Sequence, residues 1–288
     1  MFASSFDYYR AKSVAEAGDL LRKNPGAKLL AGGHSLIPLL KLRLASPGAL
    51  IDIGRIAELK GISANAGVVR IGALTTHAEL AASPVIRDAC PALAEAAKMI
   101  GDPAVRNRGT IGGNVAHADP ASDLPTVLTA LDARFVISSG GQSKTSDART
   151  FFTGLMATTL AENDLLIAVE VPVKPAGQGQ AYVKFSHPAS RYAVIGVAAV
   201  INANAGKCTS AAVVLGGLTP SAVRTPAVEK AITGQTLSPN TIGNAAAQVT
   251  RDLGDDILGD VFASAAYRKA VAPVWVRRAL TAAADRAK

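Results

Sequence analysis

The residues with the clearest chemical promise are two glycine pairs. The first lies in Ala31-Gly32-Gly33-His34-Ser35-Leu36, directly after the apolar run Lys28-Leu29-Leu30. The second lies in Gly109-Thr110-Ile111-Gly112-Gly113-Asn114, which continues past His117 to Ser122 and Asp123. Without a Cβ, glycine lets backbone N–H groups approach a ligand and reaches positive φ at the least cost. Successive exposed N–H groups form a concavity suited to an anion such as a pyrophosphate. Two such loops suit a nucleotide cofactor held from two sides, although each alone is equally an ordinary tight turn. No G-x-G-x-x-G opens a helix, and there is no G-x-x-x-x-G-K-S/T, so neither the usual dinucleotide fingerprint nor a P-loop is present.

Other reactive side chains give little. Cys90 and Cys208 are the only two cysteines and form no C-x-x-C, so the chain cannot hold an iron–sulfur cluster by itself. His34, His77, His117 and His187 are scattered without metal-ligand spacing. No acid–base pair or nucleophile is legible, so no catalytic residue is expected. Asp123, just before Leu124-Pro125, reads as the N-cap of a following helix.

The two strings, A-G-G-H-S-L and G-D-P-x-x-R-x-x-G-T-I-G-G-N-x-A-x-x-D-P-x-x-D-L-P, carry a resemblance. The second runs here from Gly101-Asp102-Pro103 through Arg106, Gly109 to Asn114, Ala116 and Asp119-Pro120 to Asp123-Leu124-Pro125. The chain resembles the FAD-binding medium subunits of molybdenum hydroxylases, of the carbon monoxide dehydrogenase type and, more distantly, the xanthine dehydrogenase family. The likeness runs from Phe6 to the C-terminal helix. One departure is Ala11, where the family often has Pro in its opening F-x-Y-x-x-P.

The resemblance implies an FAD-binding electron-transfer subunit. FAD is expected to be non-covalent, and the two glycine loops to hold its pyrophosphate. Ala31, Gly32, Gly33, His34, Ser35 and Leu36 would form one side of that site. Thr110, Ile111, Gly112, Gly113, Asn114, His117, Ser122 and Asp123 would form the other. Leu165 and Leu166 would supply an apolar wall, or be plain core. Lys184 and Tyr192 would cover the flavin ring, with Lys184 otherwise a strand-edge charge. Partner chains would carry 2Fe–2S clusters in a small subunit and a molybdenum pterin in a large one. Two such heterotrimers would pair, and electrons would leave to an external acceptor. The rival reading is a self-contained FAD-dependent oxidoreductase on the same fold.

Several elements must position these loops. Ser13-Val14-Ala15-Glu16 and Thr76-His77-Ala78-Glu79 are capping boxes that open helices. Strands are expected near 6–9, 28–30, 50–53, 68–71, 134–138, 165–171, 181–185, 194–201 and 211–215, with a hairpin at Gly140-Gly141. Helices are expected at 36–44, from Ser83-Pro84, at 92–100 and 124–131, and from about Thr225, Pro239 and Phe262. Pro273 should kink or restart the last of these. The fold class is α+β. It comprises an α/β-containing FAD-binding domain of the vanillyl-alcohol-oxidase-like (PCMH) type, 1–176, in subdomains 1–58 and 59–176, and an α+β C-terminal domain, 177–288.

At 288 residues and 49% hydrophobic content the chain can bury a large core. No apolar run approaches the roughly 20 residues of a membrane span, and residues 1–10 hold no signal-peptide core, so a cytoplasmic place is expected, free or peripheral at the inner membrane. The net charge of +8 lacks the aromatic interleaving of a nucleic-acid groove, so no nucleic acid is expected. Much of the excess falls on Arg268, Lys269, Arg277, Arg278, Arg286 and Lys288, which read as a solvated helix face or a docking surface.

Overall fold

The computed structural model describes residues 2–287; Met1 and Lys288 lie outside them. Strand β1 (Asp7–Arg10), helix α1 (Val14–Lys23), strand β2 (Lys28–Leu30), helix α2 (Leu36–Lys41) and strand β3 (Ala49–Asp52) form the first unit. Its three strands are parallel in the order β1-β3-β2, as the β-α-β rhythm requires. Ser13 caps α1 by accepting from the Glu16 N–H, but the Glu16 carboxylate accepts from the Lys12 N–H rather than from the cap residue. Only half of that expected capping box therefore forms. Helix α2 stops at Lys41, short of Leu44, because Arg43 turns into the left-handed region at φ 58°.

A longer stretch follows: β4 (Ile62–Asn65), β5 (Val68–Gly72), α3 (His77–Ala82), α4 (Pro84–Ala89), α5 (Pro91–Met99), α6 (Pro103–Arg108), α7 (Ile111–His117) and α8 (Asp123–Ala130). Then come β6 (Arg134–Ser139), β7 (Gln142–Asp147), α9 (Ala148–Phe151), β8 (Phe152–Gly154), β9 (Ala157–Thr158) and β10 (Asp164–Pro172). The capping box at Thr76 is complete, with the Glu79 carboxylate accepting from the Thr76 N–H. The main sheet runs β4-β5-β10-β6-β7 with every pair antiparallel. This second unit is thus α+β.

The last stretch holds β11 (Gln178–Ser186), β12 (Ala193–Asn204), β13 (Lys207–Gly216), β14 (Val223–Arg224), α10 (Pro226–Ile232), α11 (Pro239–Ala247) and α12 (Ala265–Arg286). Its four strands form an antiparallel sheet in chain order. One face packs on α10 to α12, burying residues such as Ile195, Val213, Val276 and Leu280. The other carries Tyr182, Ala198, Val200 and Val214 into the core shared with α5, α8 and the five-stranded sheet. Helix α12 begins at Ala265, not Phe262, because Ser264 accepts from the Tyr267 N–H as its cap. It also continues through Pro273 without restarting. A buried stripe of Arg268, Ala272, Val276, Ala279 and Ala283, at i+3 and i+4 spacing, holds both halves on the sheet.

The basic end of the chain is therefore only partly a surface. Arg268 is 5% exposed and donates to the carbonyls of Ala263, Val194 and Gly217. Arg286 donates to the Gln180 carbonyl and pairs with Glu95 at 2.7 Å. No described helix is long and apolar enough to cross a membrane.

Candidate cofactor-binding site

A cleft of about 710 Å³ opens between the first unit, the α7–α8 region, the start of β10 and the β11–β12 connection. That is within the range of cofactor pockets. Both glycine stretches line it, by different means.

Gly33 has φ +78°, so the turn out of β2 uses the freedom that only glycine supplies cheaply. After it, α2 presents an open end. Among the described residues, no carbonyl or side chain accepts from the backbone N–H groups of Gly32, Gly33, His34, Ser35 and Leu36. Five successive donors on the cleft wall make an anion cradle.

The second glycine stretch is helix, not an open loop. Thr110 caps α7 by accepting from the Gly113 N–H, while the Ile111 and Gly112 N–H groups donate to the carbonyls of Thr75 and Ala73. None of Gly109, Gly112 and Gly113 has positive φ. Gly112 is small because a Cβ there would stand 2.5 Å from the Ala73 Cβ. The Cβ of Gly113 would meet only the Thr110 hydroxyl, at 2.9 Å, before Ala31, at 3.9 Å. Gly32 packs on the other stretch: a Cβ there would lie 2.1 Å from the Arg108 carbonyl oxygen. These glycines press the two stretches together; the row of open amides belongs to the first, and from Gly109 to Asn114 only the Thr110 N–H has no acceptor among the described residues.

Ala31 to Leu36 all line the cleft, as do Thr110, Gly112, Gly113, Asn114 and His117. Ser122, Asp123, Leu166 and Tyr192 complete the predicted residues found there. Ser122 donates its hydroxyl to the Asn114 side-chain oxygen at 2.8 Å, leaving the Asn114 amide nitrogen as a donor. Ser122, not Asp123, is the N-cap of α8.

Three predicted residues do not line it. Ile111 is fully buried in the main core, since the first turn of α7 turns inward there. Leu165 points to the opposite side of β10 from Leu166 and packs with Ile51 and Ile56 of the first unit. Lys184 is neither a strand-edge charge nor a cleft wall. Its side chain is 0% exposed, and its Nζ lies 2.8 Å from Asp123 Oδ2. The Tyr182 hydroxyl donates to Asp123 Oδ1 at 2.5 Å. Burial pushes the Asp123 carboxyl up, opposed by the Lys184 ammonium and the Tyr182 phenol.

His77 is a site residue that sequence reading passed over, although its place at the first position after the Thr76 cap marked it. It lines the cleft, 3% exposed, and its Nδ1 is a buried polar atom without a partner in the protein. Burial, then His34, lowers its pKa to about 4, so the ring is neutral near pH 7.

Fold and cleft together define a protein built around a phosphate-bearing cofactor. A family profile described as the FAD binding domain in molybdopterin dehydrogenase matches residues 4–174. A second, the CO dehydrogenase flavoprotein C-terminal domain, matches residues 180–283. The carbon monoxide dehydrogenase medium chain of Hydrogenophaga pseudoflava is 40% identical, with 98% of each chain covered. The 6-hydroxypseudooxynicotine dehydrogenase complex subunit alpha of Paenarthrobacter nicotinovorans is 38% identical over 99% of this chain and 96% of that one. A solved carbon monoxide dehydrogenase from Hydrogenophaga pseudoflava, lacking the Mo-pyranopterin moiety, superposes with a TM-score of 0.95 at 41% identity, covering 99% of both chains. The chain belongs to the FAD-binding medium subunits of molybdenum hydroxylases.

The residues present fit FAD. The cradle of Gly32 to Leu36 offers unsatisfied amides to a pyrophosphate, and the unpartnered His77 Nδ1 and the Asn114 amide offer polar contacts beside it.

Proposed function

We propose that this chain is the electron-transfer flavoprotein of a three-chain molybdenum hydroxylase. A small chain with 2Fe–2S clusters would deliver electrons, and a large molybdenum chain would oxidise the substrate. The complex would be a dimer of heterotrimers that passes electrons to an external acceptor. FAD, when bound, supplies a carrier that takes up electrons in pairs or singly. This chain's part is to bind and shape its surroundings. Gly32 to Leu36 donate to the pyrophosphate; Thr110, Asn114, His117, Ser122 and Asp123 hold the sugar-like portion and ring edge. Leu166 and Tyr192 keep water from the ring. Ala31 and Gly113 leave room for the cofactor, while Gly112 lets α7 pack closely on Ala73. The division at 176/177, with a further one at 58/59, separates the part that grips FAD from the part that covers it.

The observation that carries this reading is the row of five N–H groups without acceptors on the wall of the cleft. A self-contained oxidoreductase finds less support, since no cysteine lines the cleft and its one buried histidine is neutral near pH 7, with no hydrogen-bond partner at Nδ1. The test is reconstitution with FAD. The isolated chain should take electrons from dithionite and pass them to a dye, with no substrate-dependent reduction until the iron–sulfur and molybdenum chains are added. Substrate-driven bleaching in the isolated chain, at the rate of the complex, overturns the proposal.

A further inference from the structure

Asp123 is the one member of a buried charged cluster that reaches the cleft. Lys184 and Tyr182 stand behind it on β11, and neither lines the cleft. Lys184 Nζ is 2.8 Å from Asp123 Oδ2 and 3.3 Å from the Met99 carbonyl; Tyr182 holds Oδ1. Both oxygens thus receive a hydrogen bond from β11, while each keeps a lone pair for a ligand. Asp123 is also the first residue of α8, so the pair joins the helix that borders the cleft to the sheet packed beneath it.

A buried ion pair of this kind is costly to build, and a neutral carboxyl with an apolar neighbour would serve packing as well. What the ammonium adds is a fixed charge state. We propose that Lys184 and Tyr182 are positioning residues that keep the Asp123 carboxylate ionised and aimed into the cleft, so that flavin retention depends on β11 being seated behind α8. This rests on the reading of the cleft as the flavin site.

The neighbouring titratable groups do not replace Lys184. Glu95 on α5 is occupied by the Tyr182 amide and Arg286. His117 and Asp119 lie at the α7–α8 connection, and Tyr192 on the β11–β12 connection. Lys98 is on α5. Arg149 and Arg224 pair with Asp132 at the far end of α8.

The experiment measures the FAD dissociation constant of the full chain by flavin fluorescence between pH 5.5 and 8.5, for wild type, Lys184→Met and Asp123→Asn. Without the ammonium, burial should carry the Asp123 pKa upward. Lys184→Met should therefore bind FAD within about threefold of wild type at pH 8.5 and at least tenfold more weakly than wild type at pH 5.5. Asp123→Asn should be weak at every pH. A Lys184→Met protein whose affinity falls equally at all pH values, or does not fall, overturns the proposal. If Lys184→Met does not fold, Tyr182→Phe removes one donor and should show the same pH slope in smaller measure; a flat profile there overturns the proposal too. Absence of FAD binding by the wild type instead refutes the flavin reading itself, a separate outcome.

Discussion

A Cβ placed on Gly113 would stand 3.9 Å from the Ala31 Cβ, so the two glycine stretches meet at one floor of the cleft. The two are nonetheless unequal in what they tolerate. Gly113→Val meets only the Thr110 hydroxyl and projects toward the cleft, whereas Gly32→Val drives a Cβ to 2.1 Å from a backbone carbonyl. Gly113→Val should keep a native-like circular dichroism spectrum and lose most of its flavin. Gly32→Val should lose flavin and also about 1–3 kcal/mol of stability, as overpacking does. Flavin-to-protein ratio and urea unfolding check both; full flavination of folded Gly113→Val would show that α7 does not face the cofactor.

Local signals were legible where the cause is local. Thr76 and Glu79 announced their helix, and Gly140-Gly141 their hairpin, with φ of 58° and 86°. Helix α7 was not legible, because two adjacent glycines disfavour helix and only tertiary contacts, Gly112 against Ala73 among them, offset that cost. Lys184 and Arg268 were misread for a related reason. Their partners Asp123, Val194 and Gly217 lie 61, 74 and 51 residues away, and no local pattern reports such pairs.

The state of His77 gives stability a pH dependence. The buried ring resists protonation to about pH 4, while in the unfolded chain it takes up a proton near 6.5. The folded state is thus unaffected above pH 6.5 and is progressively disfavoured as pH falls from 6.5 toward 4. At pH 5 the cost is about 2 kcal/mol. Urea unfolding of apoprotein at pH 7.5 and 5 should show it, and His77→Gln should remove most of the difference. An unchanged difference in His77→Gln would place the linkage elsewhere.

Attachment of the flavin should be non-covalent. Cys90 and Cys208 are 0% and 1% exposed and neither lines the cleft, and burial pushes the Cys90 thiol up to about 12. Neither is a usable nucleophile toward a bound flavin. Acid precipitation should leave the flavin in the supernatant. Fluorescence travelling with the denatured chain would instead point to His34, the exposed imidazole of the cradle.

Arg268 should be the most consequential side chain of α12. Its guanidinium donates to the Val194 and Gly217 carbonyls at 3.1 and 2.6 Å, to the Ala263 carbonyl at 3.1 Å and to Asp260 at 2.5 Å. It thereby ties the start of α12 to the start of β12, two residues beyond Tyr192 at the cleft. Arg268→Met fills similar space but leaves the buried Val194 and Gly217 carbonyls without a donor, since only the Ala263 carbonyl keeps another, the Asp260 N–H; the loss is about 3–5 kcal/mol by the measure of broken buried pairs. Lysine cannot span the fork, so Arg268→Lys should recover only part of this. In a protein of this size the melting temperature of Arg268→Met should drop by about 5–8 °C, whereas Arg277→Met, on the exposed face of the same helix, should shift it by no more than about 2 °C. Equal shifts for the two variants would return Arg268 to the solvated basic face that the sequence suggests.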